Sequence, residues 1–278
     1  MLINLRKMDN FPLPFKKVAV LGGRGMVGSD LVEVLSKHHP VTIIDKDNYD
    51  QYLGKSFDVL INANGNSRRF WANENPFLDF EASTVSVYKS LFDFKFKKYI
   101  YISSVYLYED YPSEKILPKN TFEDRELEVK KLSPYSLHKY LGENLVKRCA
   151  PDYIIFRCSM MIGNNAKKGP VFDILNDKPL FITLSSKLQL ITAKEVANAM
   201  NILIAKNKKN ETFNIGGRGQ FAFSKAEKYF QKKVRVSVGA KKQDIEQNVS
   251  KLNKIFRLKT SEEYLSGFLK NYKNKKPD

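Results

Sequence analysis

Lys17-Val-Ala-Val-Leu-Gly-Gly-Arg-Gly-Met-Val-Gly28 is the stretch that decides the fold. Lys17 to Gly22 read as a short buried strand stopped by glycine. From Met26 to about Lys37, Val27, Leu31, Val34 and Leu35 recur on one side of a helix. Strand, glycine turn and helix in that order give the spacing G-x-x-G-x-x-G a mechanism. Gly22 permits the tight turn, Gly25 lets backbone approach a pyrophosphate, and Gly28 lets helix and strand pack closely. The helix N-terminus adds free N–H groups and a partial positive charge.

Working outward, further apolar runs at Val41–Asp45, Phe57–Asn62, Lys98–Ser103 and Tyr153–Arg157 read as strands. Helices are expected over about Pro76–Phe94 and Pro134–Arg148. Nearly wholly apolar strands alternating with helices imply a parallel sheet covered on both faces. The expected class is α/β, a Rossmann-type doubly wound parallel sheet with a small C-terminal substrate lobe. Past Gly163 the pattern loosens. Helices are expected around Val171–Leu175, Ala193–Ile204, Ser224–Gln231 and Gln243–Phe256, and a strand at Thr212–Ile215. The expected division is a leader over 1–16, broken by Pro12 and Pro14, a dinucleotide-binding core over 17–163, and a mostly substrate-binding lobe over 164–278 with elements returning to the core.

The 278 residues are 42% hydrophobic and carry a formal charge of +17. Such an excess attracts polyanions, but much of it is scattered lysine, and the tail Lys270–Lys276 reads as a solvated end. No apolar run is long enough for a membrane span and no secretory signal opens the chain, so a cytoplasmic protein is expected. Cys149 and Cys158 are too few for a disulfide framework. Neither they nor His38, His39 and His138 have metal-site spacing, so no metal is expected.

Asp45 ends the second strand, 17 residues past Gly28. A carboxylate there accepts hydrogen bonds from ribose hydroxyls and repels a 2′-phosphate, which favours NAD. Arg24 and Lys46 nearby could accommodate that phosphate, so NADP stays open. Tyr135-Ser-Leu-His-Lys139 places a phenol and an ammonium one turn apart on one helix face. A free tyrosine titrates near about 10, so an adjacent cation is needed to make it a base, at about 1.4 kcal/mol per unit. Ser104, just past a strand, could hydrogen-bond the same reacting oxygen.

These motifs together resemble the extended short-chain dehydrogenase/reductases, the NAD-dependent epimerase/dehydratase family. The resemblance runs from about residue 17 to 217. It rests on Gly22–Gly28, Asn62-Ala-Asn-Gly65, Tyr101-Ile-Ser-Ser-Val-Tyr-Leu-Tyr108, Tyr135–Lys139 with Glu143, Arg157–Gly163 and Thr212-Phe-Asn-Ile-Gly-Gly217. Arg24-Gly-Met-Val-Gly-Ser29 is similar to the sugar-nucleotide epimerase-reductases that make GDP-fucose. The resemblance implies Tyr135 as general acid/base, Lys139 on the nicotinamide ribose and Ser104 orienting the reacting oxygen. It implies a cofactor site of Gly22, Arg24, Gly25, Met26, Val27, Gly28, Asp45, Asn62, Ala63, Asn64 and Ser103, with Tyr135 and Lys139. It also implies a nucleotide-sugar substrate and a homodimer through a four-helix contact of the helices near 76–94 and 134–148.

The departures bear on substrate. Only 16 residues separate Asp45 from Asn62, where the family fits a further helix and strand, so the adenine pocket should be shallow. Val105 and Tyr106 stand where dehydratases have Asp-Glu, which disfavours dehydration. Tyr106 is either a second acid or a packed aromatic. Met160 stands where many members have a substrate-contacting asparagine. Asn66, Ser67, Arg68 and Arg69 should sit at the carboxyl end of the sheet. Lys167 and Lys168 either meet a substrate diphosphate or are solvated. The competing class is a non-catalytic binding protein, for RNA or as a cofactor-sensing regulator, which the charge would suit. The Ser104–Tyr135–Lys139 set argues against it, and no nucleic-acid partner is expected.

Overall fold

The computed structural model describes residues 17–273. The expected leader and the last residues of the basic tail lie outside the described residues. The chain runs β1 (Val18–Leu21), α1 (Met26–Leu35), β2 (Val41–Ile44), β3 (Ser56–Asn62), α2 (Arg69–Glu74), α3 (Pro76–Phe80), a π turn (Glu81–Val85), α4 (Ser86–Asp93), β4 (Lys95–Ser104), β5 (Lys115–Ile116), α5 (Pro134–Cys149), β6 (Tyr153–Cys158) and β7 (Met160–Ile162). It continues with α6 (Pro170–Leu175), β8 (Leu180–Ile182), β9 (Lys187–Leu188), β10 (Leu190–Thr192), α7 (Ala193–Ala205), β11 (Glu211–Ile215), β12 (Phe221–Ala222), α8 (Ala226–Phe230), β13 (Val236–Lys241), β14 (Asp244–Ile245), α9 (Ser250–Asn253) and α10 (Ser261–Lys273).

Six of the strands form one parallel sheet in the order β2-β1-β3-β4-β6-β11. Successive residues of a strand face opposite sides, and both sides are covered. Val18, Val20, Val59 and Ile61 pack with Leu31 of α1 and Val196, Met200 and Leu203 of α7. Ala19, Leu21 and Leu60 pack the other way, with Val87 and Leu91 of α4 and Val146 of α5. This is the Rossmann-type architecture expected. Between β2 and β3 there is one 3-10 turn, Tyr49–Tyr52, so the sheet ends at β2.

A second hydrophobic cluster joins Val105 and Leu107 to Ile174, Leu190, Phe221, Phe223, Ile245 and Leu265. Around it lie a small sheet, β12-β9-β14-β5, and the pairs β10-β7 and β13-β8. Among the described residues, no helix is long and apolar enough to cross a membrane.

Four local expectations change. The segment 243–256 is not one helix: β14 opens it, and only Ser250–Asn253 is helical. The cause is Gln247, 1% exposed, whose amide donates to the carbonyls of Arg157 (2.7 Å) and Ile215 (3.0 Å) at the ends of β6 and β11. The helix expected over 224–231 is a 3-10 turn at Phe223–Lys225 followed by α8. The helix near 76–94 is broken into α3 and α4 by the π turn. Helices α2 and α10 were not expected at all.

Candidate active site

Strand order reverses at β1, which lies between β2 and β3, and ligands of open α/β sheets bind outside the carboxyl ends at such a point. The glycine loop sits there. Gly22 has φ +73°, a backbone state that favours glycine, and its N–H donates to Ile44 (2.8 Å). A Cβ at Gly28 would collide with the Gly22 carbonyl oxygen and come within 2.9 Å of the Gly23 Cα. The first turn of α1, with Met26 and Val27, has no acidic residue and no side-chain cap, so its N–H groups stay available to an anion.

Asp45 leaves β2 beside this loop and accepts the Arg24 backbone N–H at 3.1 Å. The Arg24 guanidinium is paired with Asp47 and lies 3.7 Å from Asp45. Two carboxylates therefore stand beside the glycine loop, and the Arg24 cation between them is already paired.

The loop after β3 links the glycines to the catalytic candidates. Asn64 backbone lies 3.0 Å from where a Gly22 Cβ would be, and Lys139 Nζ lies 3.4 Å from where a Gly65 Cβ would be. Asn64 is exposed and Ala63 half-buried. Asn62 corrects an expectation: its side chain is wholly buried, accepting from Asn64 N–H (2.9 Å) and donating to the Tyr99 hydroxyl (2.7 Å). It shapes the loop and presents no side chain to the cleft.

Ser103 and Ser104 end β4, both buried. Ser104 Oγ accepts the Tyr106 N–H (3.2 Å), and the Ser104 hydroxyl stands where it pulls the Tyr135 phenol down. Tyr135 opens α5, whose N-cap Ser133 accepts the Ser136 N–H. Burial pushes the Tyr135 phenol up to about 12 against the pull of Ser104. Tyr135 therefore keeps its proton firmly, and Lys139 is not among the groups that act on it. Lys139 Nζ donates to Ile102 O (3.3 Å) and stands 5.3 Å from the centre of the Tyr101 ring. Burial pushes this ammonium down to about 8. The nearby Cys158 thiol is pushed up to about 12, also by burial.

Tyr106 meets Tyr135 edge-on at 6.3 Å and carries the Arg69 guanidinium 4.5 Å from its ring centre. Arg69 is engaged by Glu114 at two nitrogens and lies 3.9 Å from Glu109. Tyr106 is thus a packed wall with burial raising its phenol, and Arg69 is committed to protein partners. Asn66 also turns inward on its own loop, bonding both backbone groups of Arg68. Ser67, Arg68 and Lys167 are exposed. Met160 is half-buried on β7 against the second cluster. Lys168 is different: its Nζ is buried with no hydrogen-bond partner among the described residues. Burial, with the Arg68 cation adding to it, holds this ammonium down to about 8.

Sequence reasoning missed Asp79 and Ser83. Asp79, wholly buried, meets His138 Nδ1 at 2.6 Å and accepts from Ser83 Oγ at 3.2 Å. A groove of about 790 Å³ runs along α1, α7 and α10 and includes none of the residues predicted for the site.

A sequence model described as the NAD dependent epimerase/dehydratase family matches residues 18–216. No curated protein sequence matches the chain. Solved structures do. UDP-N-acetylglucosamine 4-epimerase from Methanobrevibacter ruminantium M1, in complex with UDP-N-acetylmuramic acid, is 19% identical, with 94% of this chain and 99% of that one covered and a TM-score of 0.72. UDP-glucuronic acid 4-epimerase from Bacillus cereus, in complex with UDP-glucuronic acid and NAD, is 20% identical over 94% and 100%, with a TM-score of 0.70. dTDP-4-dehydrorhamnose reductase from Bacillus anthracis str. Ames, in complex with NADP, is 19% identical over 92% and 98%, with a TM-score of 0.71. At these identities the likeness is one of fold.

Proposed function

The chain belongs to the NAD-dependent epimerase/dehydratase family, and on that footing we propose that it is an NAD-dependent epimerase or reductase of a nucleotide-linked sugar. The observation that carries the reading is the convergence of Ser104, Tyr135 and Lys139, buried one loop away from the glycine turn. The residues present fit a dinucleotide. A cradle at Gly22 and Gly28 admits no side chain, and an uncapped helix N-terminus stands behind it. Gly22, Gly25, Met26, Val27 and Gly28 would hold the pyrophosphate and Asp45 the adenosine ribose, with Asp45 and Asp47 disfavouring a 2′-phosphate. The bound nicotinamide supplies hydride transfer.

Tyr135 would hold the proton of the sugar hydroxyl, giving it up to a carbonyl oxygen in reduction and taking it back in oxidation. Its raised affinity for that proton suits the acid role. The positive charge of Lys139, and of the oxidised ring, would ease the base role. Ser104 would orient the sugar oxygen, and Tyr106 would wall the pocket. The buried, unpartnered Lys168 beside Arg68 suits a diphosphate, because an unpaired buried ammonium gains most from an anion. The exposed apolar stripe Leu78, Val85, Tyr88 and Phe92 beside α5 would form the four-helix dimer contact.

The test is thermal denaturation with NAD, NADP and UDP-, GDP-, CDP- and dTDP-sugars, since stabilisation follows occupancy. NAD together with one nucleotide class should raise the melting temperature most. No stabilisation by either dinucleotide would overturn the reading. RNA binding with steep salt dependence and no cofactor binding would replace it with the non-catalytic alternative.

A further inference from the structure

Lys139 is buried in a site that is short of compensating charge. Three groups of opposite or titratable charge bear on it. Glu143, one turn on along α5, is occupied by Arg157 at 2.9 and 2.7 Å and by Lys147 at 3.8 Å. The Cys158 thiol on β6 is held neutral by burial. The phenols of Tyr101 on β4 and Tyr135 are likewise held protonated. Asp79 is the remaining one. It lies in the last turn of α3, before the π turn, wholly buried, and no lysine or arginine pairs with it among the described residues.

The geometry around Asp79 is specific. Ser83, inside the π turn, donates to its Oδ1 at 3.2 Å. Ser83 Oγ and Lys139 Nζ then approach the same point, 3.2 and 3.4 Å from where a Gly65 Cβ would stand. His138, the residue before Lys139, holds the other carboxylate oxygen at 2.6 Å. That imidazole meets the Phe80 ring edge-on at 5.4 Å, and the backbone that carries it is held by Thr84, which donates to the His138 carbonyl at 3.2 Å. The π turn thus brings Ser83 both to the Asp79 carboxylate and to the point beside Gly65 that Lys139 also approaches.

We propose that Asp79, anchored by His138 and Ser83, is a positioning residue that supplies the buried negative charge balancing the Lys139 ammonium. This rests on the reading that Lys139 contacts the cofactor. Asp79 touches neither cofactor nor substrate; it acts through Lys139. Its field opposes the burial that lowers the lysine, so without it Lys139 loses its proton at lower pH and its hold on the ribose weakens there.

The experiment is titration of the full chain with NADH, followed by fluorescence, from pH 6 to 10. In the wild type, the dissociation constant should rise as Lys139 loses its proton. Asp79→Asn keeps the shape and an acceptor for Ser83 but removes the charge. It should move that rise about one pH unit lower, with binding up to about tenfold weaker in between. Asp79→Glu should restore the wild-type profile. His138→Lys reaches the same end without touching Asp79, because an ammonium held against the carboxylate offsets its charge, and it should shift the profile the same way. It serves if Asp79→Asn does not fold. Unshifted profiles in the folded variants overturn the proposal. Lys139→Met should bind weakly at every pH. If it instead keeps the wild-type profile, the assignment of Lys139 to the cofactor is what fails.

Discussion

Gly28 has no room for a methyl group, because the third turn position of the loop packs directly on Gly22 and Gly23. Gly28→Ala should cost about 1–3 kcal/mol in stability and weaken NAD binding more than tenfold, measured by calorimetric titration. Tyr135→Phe keeps the ring against Tyr106 and removes the proton. It should lose about 10²–10⁴-fold in turnover while binding cofactor normally; unchanged turnover would sink the acid/base assignment. Lys139 makes a pH prediction of definite sign. Its folded value, about 8, lies below the 10.5 of an exposed lysine. Burial of its charge therefore costs stability in full below pH 8, and the cost is relieved as pH rises towards 10.5. Lys139→Met should accordingly stabilise the free protein at pH 7, by about 1–3 kcal/mol in urea unfolding, with the gain shrinking above pH 8. These residues were legible in the sequence because their spacing is local: four glycines within seven positions, a phenol and an amine one turn apart. Asp79 was not legible. Its partner His138 is 59 positions away, and nothing in either residue type announces burial.

Helices α3 and α4 show what a periodic pattern says and omits. Their apolar residues predicted a helix, and most of it is there. The π turn is invisible in such a pattern, yet it decides which residues face α5 and which face outward. The outward stripe includes Leu78 (51% exposed), Tyr88 (47%) and Phe92 (65%). If it is the dimer contact, the double variant Tyr88→Glu, Phe92→Asp should sediment as a monomer at concentrations where the wild type is a dimer. Strand β2 shows the opposite case, where the spacing was informative. Sixteen residues between Asp45 and Asn62 leave no room for another strand, and the sheet does stop there. The 244–249 segment was misread because Ile245, Val249, Leu252 and Phe256 recur at helical spacing. A buried amide, Gln247, outweighs that periodicity by satisfying two strand-end carbonyls.

At the level of the molecule, the main sheet and the smaller sheets are joined by buried polar bonds. Gln189 and Gln247 tie the β9–β10 and β14 region to the ends of β6 and β11. Arg157 binds Glu143 of α5 and the Tyr108 hydroxyl, which reaches Asn214 of β11. Gln247→Leu would remove the side-chain donor from the Arg157 and Ile215 carbonyls, leaving Ile215 with the Ser159 N–H alone, and should cost about 1–3 kcal/mol in urea unfolding. Unfolding by fluorescence and by circular dichroism should still coincide, since the network spans both hydrophobic clusters. Separate transitions would show that the clusters unfold independently.

The fate of the two thiols has a practical side. Cys149 closes α5 with part of its surface open, whereas Cys158 is buried with its proton firmly held. Only a thiolate attacks a maleimide at a useful rate. A dye should therefore attach at one place on this protein, without any engineering, and do so at the end of α5 remote from the loop chemistry at its start. Labelled at Cys149, the wild-type chain becomes its own ruler, and energy transfer between two such chains would report whether and how closely they meet.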